Sequence, residues 1–325
     1  MIISRTPLRM SFAGGGTDIS KFYLQEGGAV TSSAINRYMY VTVNKKFDSG
    51  IRISYSKTEN VEKVDDIQHD IVREALKLTG ITKGIEITSM ADVPAKTGLG
   101  SSSSFAVGLL NALYAYKGAH KPPKFLAEQA CHIEIDLCKE PIGKQDQYIA
   151  AYGGLQHIRF NKDETVFVDP VICSQQTKQK LGDWAMLFFT GVTRPASTIL
   201  TEQKKHMEEK DKIEAMKTMK AQSEQVMEAL REGDMEQFGK ILQEGWKLKR
   251  QLAGGISNPE IDTYYNNAIQ AGALGGKLLG AGGGGFLLFF APPEKQDKVR
   301  QSLSGLKETT IALEPQGSKI IYVSD

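Results

Sequence analysis

Short segments rich in β-branched and aromatic residues occupy much of the first half of the chain. Segments of this kind, bounded by glycine and polar turns, predict strands. They cover residues 2–5, 9–13, 38–43, 51–54 and 84–88. We expect the segment at 51–54 to form a hairpin with the alternating segment at 38–43, within a mixed or antiparallel sheet.

Hydrophobic residues at a spacing of three and four predict helices between and after these strands. The helical segments cover residues 70–78, 105–116, 124–138 and 144–151, and further strands run through 160 and 167. The break between Lys139 and Gly143 places the residues that follow it at a helix start.

The polar stretch 174–182 has the composition of a connection between domains. It places a boundary near residue 175, with domains at 1–175 and 176–325. The second part predicts a strand at 184–190, helices at 195–220, 221–230 and 235–252, and strands at 275–279, 286–290 and 320–323 in one sheet.

Composition indicates a globular protein with a small-molecule partner. The chain has 325 residues, 41% of them hydrophobic, and 40 basic residues nearly balance 38 acidic ones. This balance argues against nucleic acid or an anionic membrane as the partner. Three cysteines without Cys-x-x-Cys spacing support neither a disulfide framework nor a zinc site, and no apolar run is long enough to span a bilayer. We expect a cytoplasmic protein, either a monomer or a homodimer.

Three glycine-rich loops, at 14–18, 94–104 and 280–285, carry the candidate chemistry. In the middle loop, Gly98 and Gly100 allow a close approach of backbone to an anion, and a helical segment follows with unpaired N–H groups in its first turn. This arrangement predicts a phosphate site. The loop lacks the lysine of a Walker A motif and the third glycine of a dinucleotide fingerprint, and the protein-kinase motifs are absent from the chain.

Together the three loops resemble the motifs of the GHMP kinases, the family named for galactokinase, homoserine kinase, mevalonate kinase and phosphomevalonate kinase. The matching segments are 5–18, the Pro-x-x-x-Gly-Leu-Gly-Ser-Ser loop at 94–104, and 277–286. The resemblance implies an α+β fold of two domains with the active site in the cleft between them. The N-terminal domain would be like domain 2 of ribosomal protein S5, with a left-handed βαβ crossover, and the C-terminal domain would be ferredoxin-like.

The resemblance also implies a role for individual residues. Asp146 would be the catalytic base, and Arg9 would stabilise the charge that develops during phosphoryl transfer. Mg²⁺ would bind Ser102 and Glu134, since it prefers oxygen ligands. ATP would be held by Pro94, Lys96, Gly98, Leu99, Gly100, Ser101, Ser102 and Ser103.

Segments 5–18 and 141–148 resemble most closely the members that phosphorylate the anomeric hydroxyl of a sugar, with heptose 7-phosphate as the implied substrate. Gly15 and Gly16 stand where galactokinase has a bulkier Glu-His pair, which enlarges the expected pocket. The implied sugar-binding residues are Gly15, Gly16, Thr17, Asp18, Gly282 and Gly283, with Lys144 and Arg194 for the sugar's own phosphate. Two alternatives remain open: a kinase for an unphosphorylated sugar such as fucose, arabinose or galactose, and a non-catalytic sugar or nucleotide sensor.

Overall fold

The computed structural model describes residues 1–194 and 196–324, which form two β-sheets with helices packed against them. The strands are β1 (Ile2–Ala13), β2 (Gly28–Lys45), β3 (Ile51–Ser54), β4 (Thr58–Val61), β5 (Ile85–Ala91), β6 (Leu155–Phe160), β7 (Val166–Pro170), β8 (Ala185–Phe189), β9 (Gly275–Leu278), β10 (Phe286–Phe290), β11 (Lys307–Thr309) and β12 (Lys319–Val323). The helices are α1 (Ser20–Glu26), α2 (Asp70–Thr79), α3 (Ser101–Tyr116), α4 (Pro123–Cys131), α5 (Gln145–Tyr152), α6 (Gln175–Trp184), α7 (Ala196–His206), α8 (Lys210–Glu232), α9 (Met235–Lys249), α10 (Pro259–Gln270) and α11 (Pro293–Ser302).

The first sheet is centred on β1 and β2, and its main path runs in the order β12-β1-β2-β5-β3-β4. β1 is one strand, whereas the sequence predicted two, because its pairing with β2 continues past Pro7 through a register shift between Pro7 and Leu8. A bulge accommodates a residue that has no N–H to donate to the ladder.

The predicted hairpin between 38–43 and 51–54 is wrong. β2 pairs with β5 instead, β3 runs parallel to β5, and the hairpin partner of β3 is β4. Alternation of apolar and polar residues determines which face of a strand is buried but not which strand lies beside it.

The second sheet has the order β11-β8-β10-β9, and all five residues of β10 are buried. The last strand, predicted to complete this sheet, pairs with β1 of the first sheet. The chain therefore returns to its N-terminal half at its end. A division into 1–175 and 176–325 stays a prediction, and so does the handedness of the crossover.

Two of the differences from the predicted helix boundaries lie in the second half of the chain. The polar stretch 174–182 is not an open connection but holds helix α6, which begins where the Ser174 side chain accepts a hydrogen bond from the Thr177 N–H at 3.0 Å. The predicted junction between 220 and 221 is continuous helix in α8, and the chain instead breaks between α7 and α8. The predicted start of this region at Pro195 lies outside the described residues.

Helix α3 packs between the strands and the other helices of the N-terminal half, and eleven of its residues are buried. Its Gly108 lies against β1, where an added Cβ would come 2.6 Å from the Thr6 hydroxyl oxygen. This close packing holds the middle of α3 against β1, and Ser104, near the start of the helix, donates a hydrogen bond from its hydroxyl to the Pro7 carbonyl at 2.8 Å. In residues 1–194 and 196–324, no helix is long and apolar enough to cross a membrane.

Candidate active site

A cavity of about 590 Å³ opens where the start of α3, the middle of β1 and the start of α5 meet. Helix α7, the end of α9 and the glycine loop after β9 complete its wall. The first and middle glycine loops of the sequence both contribute lining residues, as does the start of the third loop. The three segments that resemble the family motifs therefore meet at one site.

The middle loop has the geometry expected of the phosphate site that the sequence predicts. Gly98 and Gly100 have φ angles of 82° and 73°, in the left-handed region that glycine adopts without strain. Gly100 is the N-cap of α3 and has no side chain to cap the first N–H groups. The residues of that first turn, Ser101–103, line the cavity, so the positive end of α3 faces it.

Arg9 and Asp146 form a bidentate ion pair in the cavity wall. The Nε and Nη2 atoms of Arg9 donate to the two carboxylate oxygens of Asp146 at 2.7 and 2.8 Å. The Nη1 atom donates to the Gly98 carbonyl, which ties this pair to the phosphate loop. Arg9 is buried, whereas the Asp146 side chain keeps 22% of its surface exposed. The carboxylate is therefore oriented by the guanidinium and still reachable from the cavity.

Glu134 and Ser102 are in contact at the mouth of the phosphate loop. Ser102 Oγ donates to Glu134 Oε1 at 2.7 Å, and the Gln147 amide donates to Oε2 at 2.6 Å. Glu134 lies on a π-helical turn, His132–Leu137, that ends the predicted helix 124–138. Burial raises the pKa of Glu134 to about 7. Among the described residues, no lysine or arginine comes within ion-pair distance of this carboxylate.

Asp18 lies at the other end of the cavity and is 2% exposed. Its carboxylate accepts hydrogen bonds from the Gly16 N–H at 2.9 Å and from both the backbone and side-chain amides of Gln145 at 3.1 Å. Burial raises the pKa of Asp18. Asp18 therefore lies beside the start of α5, where its hydrogen-bond partner Gln145 directly precedes Asp146.

The C-terminal glycine loop packs on the phosphate loop. An added Cβ on Gly280 would come 2.5 Å from the Gly98 Cα, and one on Gly98 would come 2.3 Å from the Leu279 carbonyl oxygen. The start of this loop therefore contacts the phosphate loop through its backbone. Gly282 and Gly283, which the resemblance implied for sugar binding, do not line the cavity; an added Cβ there would meet Ile256 and Ile199, respectively.

Several predicted site residues have other surroundings. Thr17 is fully buried, and its hydroxyl bonds the backbone of Gly14 and Ala29, which holds the first loop together. Lys144 Nζ lies 4.8 Å from the centre of the Tyr23 ring. Leu99 is a core residue, and Pro94 and Arg194 are exposed and do not line this cavity.

The cavity also has polar residues that sequence reasoning missed: Ser11, Gln145, Gln203, Lys249 and Lys277. Ser11 Oγ and Gln145 Oε1 are buried without a hydrogen-bond partner, as expected of groups that await a polar ligand. Ser11, Gln145 and Lys277 lie inside segments that the sequence analysis had singled out, whereas Gln203 and Lys249 lie on charge-rich helices that it had not.

Comparison with known proteins agrees with this geometry. The family models for the N-terminal domain of GHMP kinases and for the GHMP kinases C terminal match residues 67–154 and 226–307. The chain is 31% identical over 314 residues to D-glycero-alpha-D-manno-heptose 7-phosphate kinase of Campylobacter jejuni, covering 93% of each protein. The chain belongs to the GHMP kinase family. It is therefore an ATP-dependent kinase, as the resemblance of its motifs implied.

Two further relatives bear on the fold and the substrate. A crystal structure titled as a D-glycero-D-manno-heptose 1-phosphate kinase from Bacteroides thetaiotaomicron has a TM-score of 0.82 at 25% identity and covers both chains completely. The L-fucokinase/L-fucose-1-P guanylyltransferase of Bacteroides fragilis is 28% identical over 94% of this chain and 36% of that longer protein. The first similarity confirms the predicted GHMP kinase fold.

Proposed function

We propose that the protein transfers the γ-phosphoryl group of ATP to the anomeric C1 hydroxyl of D-glycero-D-manno-heptose 7-phosphate, giving the 1,7-bisphosphate and ADP. The similarity to the heptose 7-phosphate kinase of Campylobacter jejuni, which extends over 93% of both chains, supports the substrate. The observation that carries the chemistry is the Arg9–Asp146 pair, placed between the phosphate loop and the pocket that contains Asp18.

In this reaction Asp146 accepts the proton of the C1 hydroxyl. The C1 oxygen then forms a bond to the γ-phosphorus, and the bond between that phosphorus and the β–γ bridging oxygen breaks, leaving ADP. Because Arg9 binds both oxygens of Asp146 and the Gly98 carbonyl, it fixes the base relative to the phosphate loop. Positioning of this kind supplies much of the rate in phosphoryl transfer.

Ser102 and Glu134 have the oxygen donors that Mg²⁺ prefers, and they lie in contact where the triphosphate would enter. A buried carboxylate without a basic partner is suited to a divalent cation, since the cation would compensate the cost of burying the charge. A bound Mg²⁺ would neutralise phosphate charge there. The described residues contain no cluster of three or more metal-ligating carboxylates, histidines or cysteines, so phosphate and water oxygens would complete the coordination.

The sugar would occupy the end of the cavity near Asp18. The Asp18 carboxylate and the unpaired oxygen atoms of Ser11 and Gln145 offer acceptors for sugar hydroxyls. An added Cβ on Gly15 would lie in van der Waals contact, at 3.7 Å, with the Ser11 and Gln145 side chains, so a bulkier residue would extend into the space beside these two polar groups. A glycine leaves that volume to the sugar.

The test is an assay of ADP release with heptose 7-phosphate, unphosphorylated heptose, L-fucose and D-galactose at equal concentrations. We expect heptose 7-phosphate to have the highest kcat/KM, and phosphorus NMR of the product to show coupling of the new phosphate to the anomeric proton. Turnover of a free hexose without turnover of heptose 7-phosphate would reject the substrate. The similarity to the fucokinase makes L-fucose the second candidate.

The base is tested with Asp146→Asn, which keeps the size of the side chain but cannot accept the proton. Asp136→Asn is the matched control, since Asp136 is exposed and pairs with His132 outside the cavity. Full activity of Asp146→Asn would reject Asp146 as the base.

A further inference from the structure

Two lysines, Lys249 at the end of α9 and Lys277 on β9, lie in the wall of the cavity. They are 8% and 6% exposed. Lysine is rarely buried to this extent unless its charge is paired.

Neither ammonium group has a carboxylate partner in the described part of the chain. Lys249 Nζ donates to the Gly280 carbonyl and Lys277 Nζ to the Phe12 carbonyl, the latter at 2.9 Å. An ammonium group has three donors, so each lysine has donors left beyond its one carbonyl. Neither lysine is part of an ion pair among the described residues.

Three basic side chains, Lys249, Lys277 and Arg9, lie close enough on this side of the cavity to influence one another. Arg9 is neutralised by Asp146, with which it forms two hydrogen bonds. Burial, followed by the charge of Arg9, lowers the pKa of Lys249 to about 8. Burial and the charges of Lys249 and Arg9 lower the pKa of Lys277 well below its usual value. Without a ligand the two ammonium groups disfavour each other, and an anion between them would reverse this effect.

We propose that Lys249 and Lys277 form a second phosphate subsite, separate from the one at the start of α3, which binds a phosphate group of a substrate. The subsite lies beside the phosphate loop, because Lys249 holds the Gly280 carbonyl and Gly280 packs on Gly98. From the sequence we expected Lys144 and Arg194 to bind the phosphate of the sugar, but neither residue lines the cavity.

Two phosphate sources are compatible with this position: the γ-phosphate of ATP and the 7-phosphate of the proposed sugar. Lys249 lines the same cavity as Asp18 and Asp146, and both carboxylates raise its pKa, so either phosphate could come near it. A measurement with an ATP analogue depends only on membership of the kinase family. A measurement with heptose 7-phosphate rests on the proposed function.

The experiment uses Lys249→Gln and Lys277→Gln, because glutamine removes the charge but can still donate a hydrogen bond to the same carbonyl. Lys247→Gln is the matched control, since Lys247 is exposed on the same helix and does not line the cavity. Calorimetry measures the affinity of each full-length variant for a non-hydrolysable ATP analogue, for heptose 7-phosphate and for unphosphorylated heptose. Circular dichroism and thermal melting check the fold.

We expect each of the two cavity variants to lose at least tenfold in affinity for one phosphorylated ligand, and the control to change by less than twofold. Loss toward the ATP analogue alone assigns the subsite to the γ-phosphate. Loss toward heptose 7-phosphate, without loss toward unphosphorylated heptose, assigns it to the sugar phosphate. Affinities for both phosphorylated ligands within twofold of the unaltered protein, in folded variants, would overturn the proposal.

If neither variant folds, the unaltered protein provides the test. Reductive methylation read by mass spectrometry should show protection of Lys249 and Lys277 by one phosphorylated ligand, with Lys247 unaffected. Equal labelling of both lysines with and without each ligand would overturn the proposal. Failure of the proposed function has a different signature, namely no turnover of heptose 7-phosphate by the unaltered protein.

Discussion

Replacing Glu134 with glutamine should stabilise the metal-free protein above neutral pH. Glu134 is 1% exposed, and burial raises its pKa from 4.5 to about 7. Below about pH 4.5 the carboxyl is neutral in the folded and unfolded chains, so burial of charge costs nothing. As the pH rises toward 7, the unfolded chain ionises first, and the free energy of unfolding falls by about 1.4 kcal/mol per pH unit.

The cost reaches its full size once the folded carboxyl has also ionised. A shift from 4.5 to about 7 corresponds to about 3 kcal/mol. Glutamine has no charge at any of these pH values. The stability advantage of Glu134→Gln over the unaltered protein should therefore grow by about 2 to 3 kcal/mol between pH 5 and pH 8.

The hydrogen bonds around residue 134 can adapt to the new amide. The Gln147 amide nitrogen donates to Glu134 Oε2 at 2.6 Å, and Gln147 Oε1 is buried without a partner. Rotating the Gln147 amide by 180° would present its oxygen to the new NH₂ group, while Ser102 keeps an oxygen acceptor. The substitution therefore removes the buried charge and keeps both hydrogen bonds to residue 134, while the Gln147 NH₂ group takes the position where Gln147 Oε1 has no partner. The cost of that unpaired donor is the same at both pH values, so it does not change the predicted pH dependence.

Urea unfolding in EDTA at pH 5 and pH 8 measures this difference, because EDTA removes any divalent cation that would favour the ionised form. Glu128→Gln is the matched control, since Glu128 is an exposed carboxylate on the preceding helix α4. Its substitution should change the free energy of unfolding by less than about 0.5 kcal/mol at either pH. A gap between Glu134→Gln and the unaltered protein that is equal at both pH values would refute the reasoning.

Three further predictions concern activity. Asp146→Asn should lower kcat on the order of 10²- to 10⁴-fold in the ADP-release assay, while the affinity for an ATP analogue changes little. An unchanged kcat would contradict the role of Asp146 as the base. Gly143→Ala places a Cβ 2.0 Å from Asp18 Oδ2 and should raise KM for the sugar at least about tenfold, with KM for ATP as the internal control. Gly280→Ala places a Cβ 2.5 Å from the Gly98 Cα and should raise KM for ATP at least about tenfold, and an unchanged value would argue against coupling of the two loops.

The residues proposed for phosphoryl transfer could be identified from the sequence because the segments around them resemble those of the family, and their roles stay predictions. Arg9, Asp146, Ser102 and Glu134 come from distant segments, and the structure brings them together in two contacting pairs. The glycine loops contain positions where the backbone has a positive φ, such as Gly98 and Gly100, and a glycine at these positions avoids strain. The resemblance to the family then supplied the spatial arrangement, which spacing along the chain could not.

Strand pairing was predicted less well for a physical reason. The segment 38–43 alternates as a strand should, but its neighbour in the sheet is β5, which arrives after β3, β4 and α2. Local patterns report which side of a strand is buried, whereas the choice of partner depends on packing over the whole domain. The polar segment that became α6 illustrates the converse, since its Ser174 cap is a helix signal within an otherwise loop-like composition.

Lys249 shows that a usable signal was present in the sequence but was masked by its neighbours. It follows Leu242 and Trp246 at intervals of four and three residues, so on a helix it shares their face, and all three are buried. Lys247 and Arg250 surround it with the composition of a solvated helix surface. The charge composition of a segment combines all faces of a helix, whereas the spacing of a residue from its apolar neighbours shows which face it lies on. A lysine on an apolar face needs a partner, and the phosphate that we propose in the cavity would provide it.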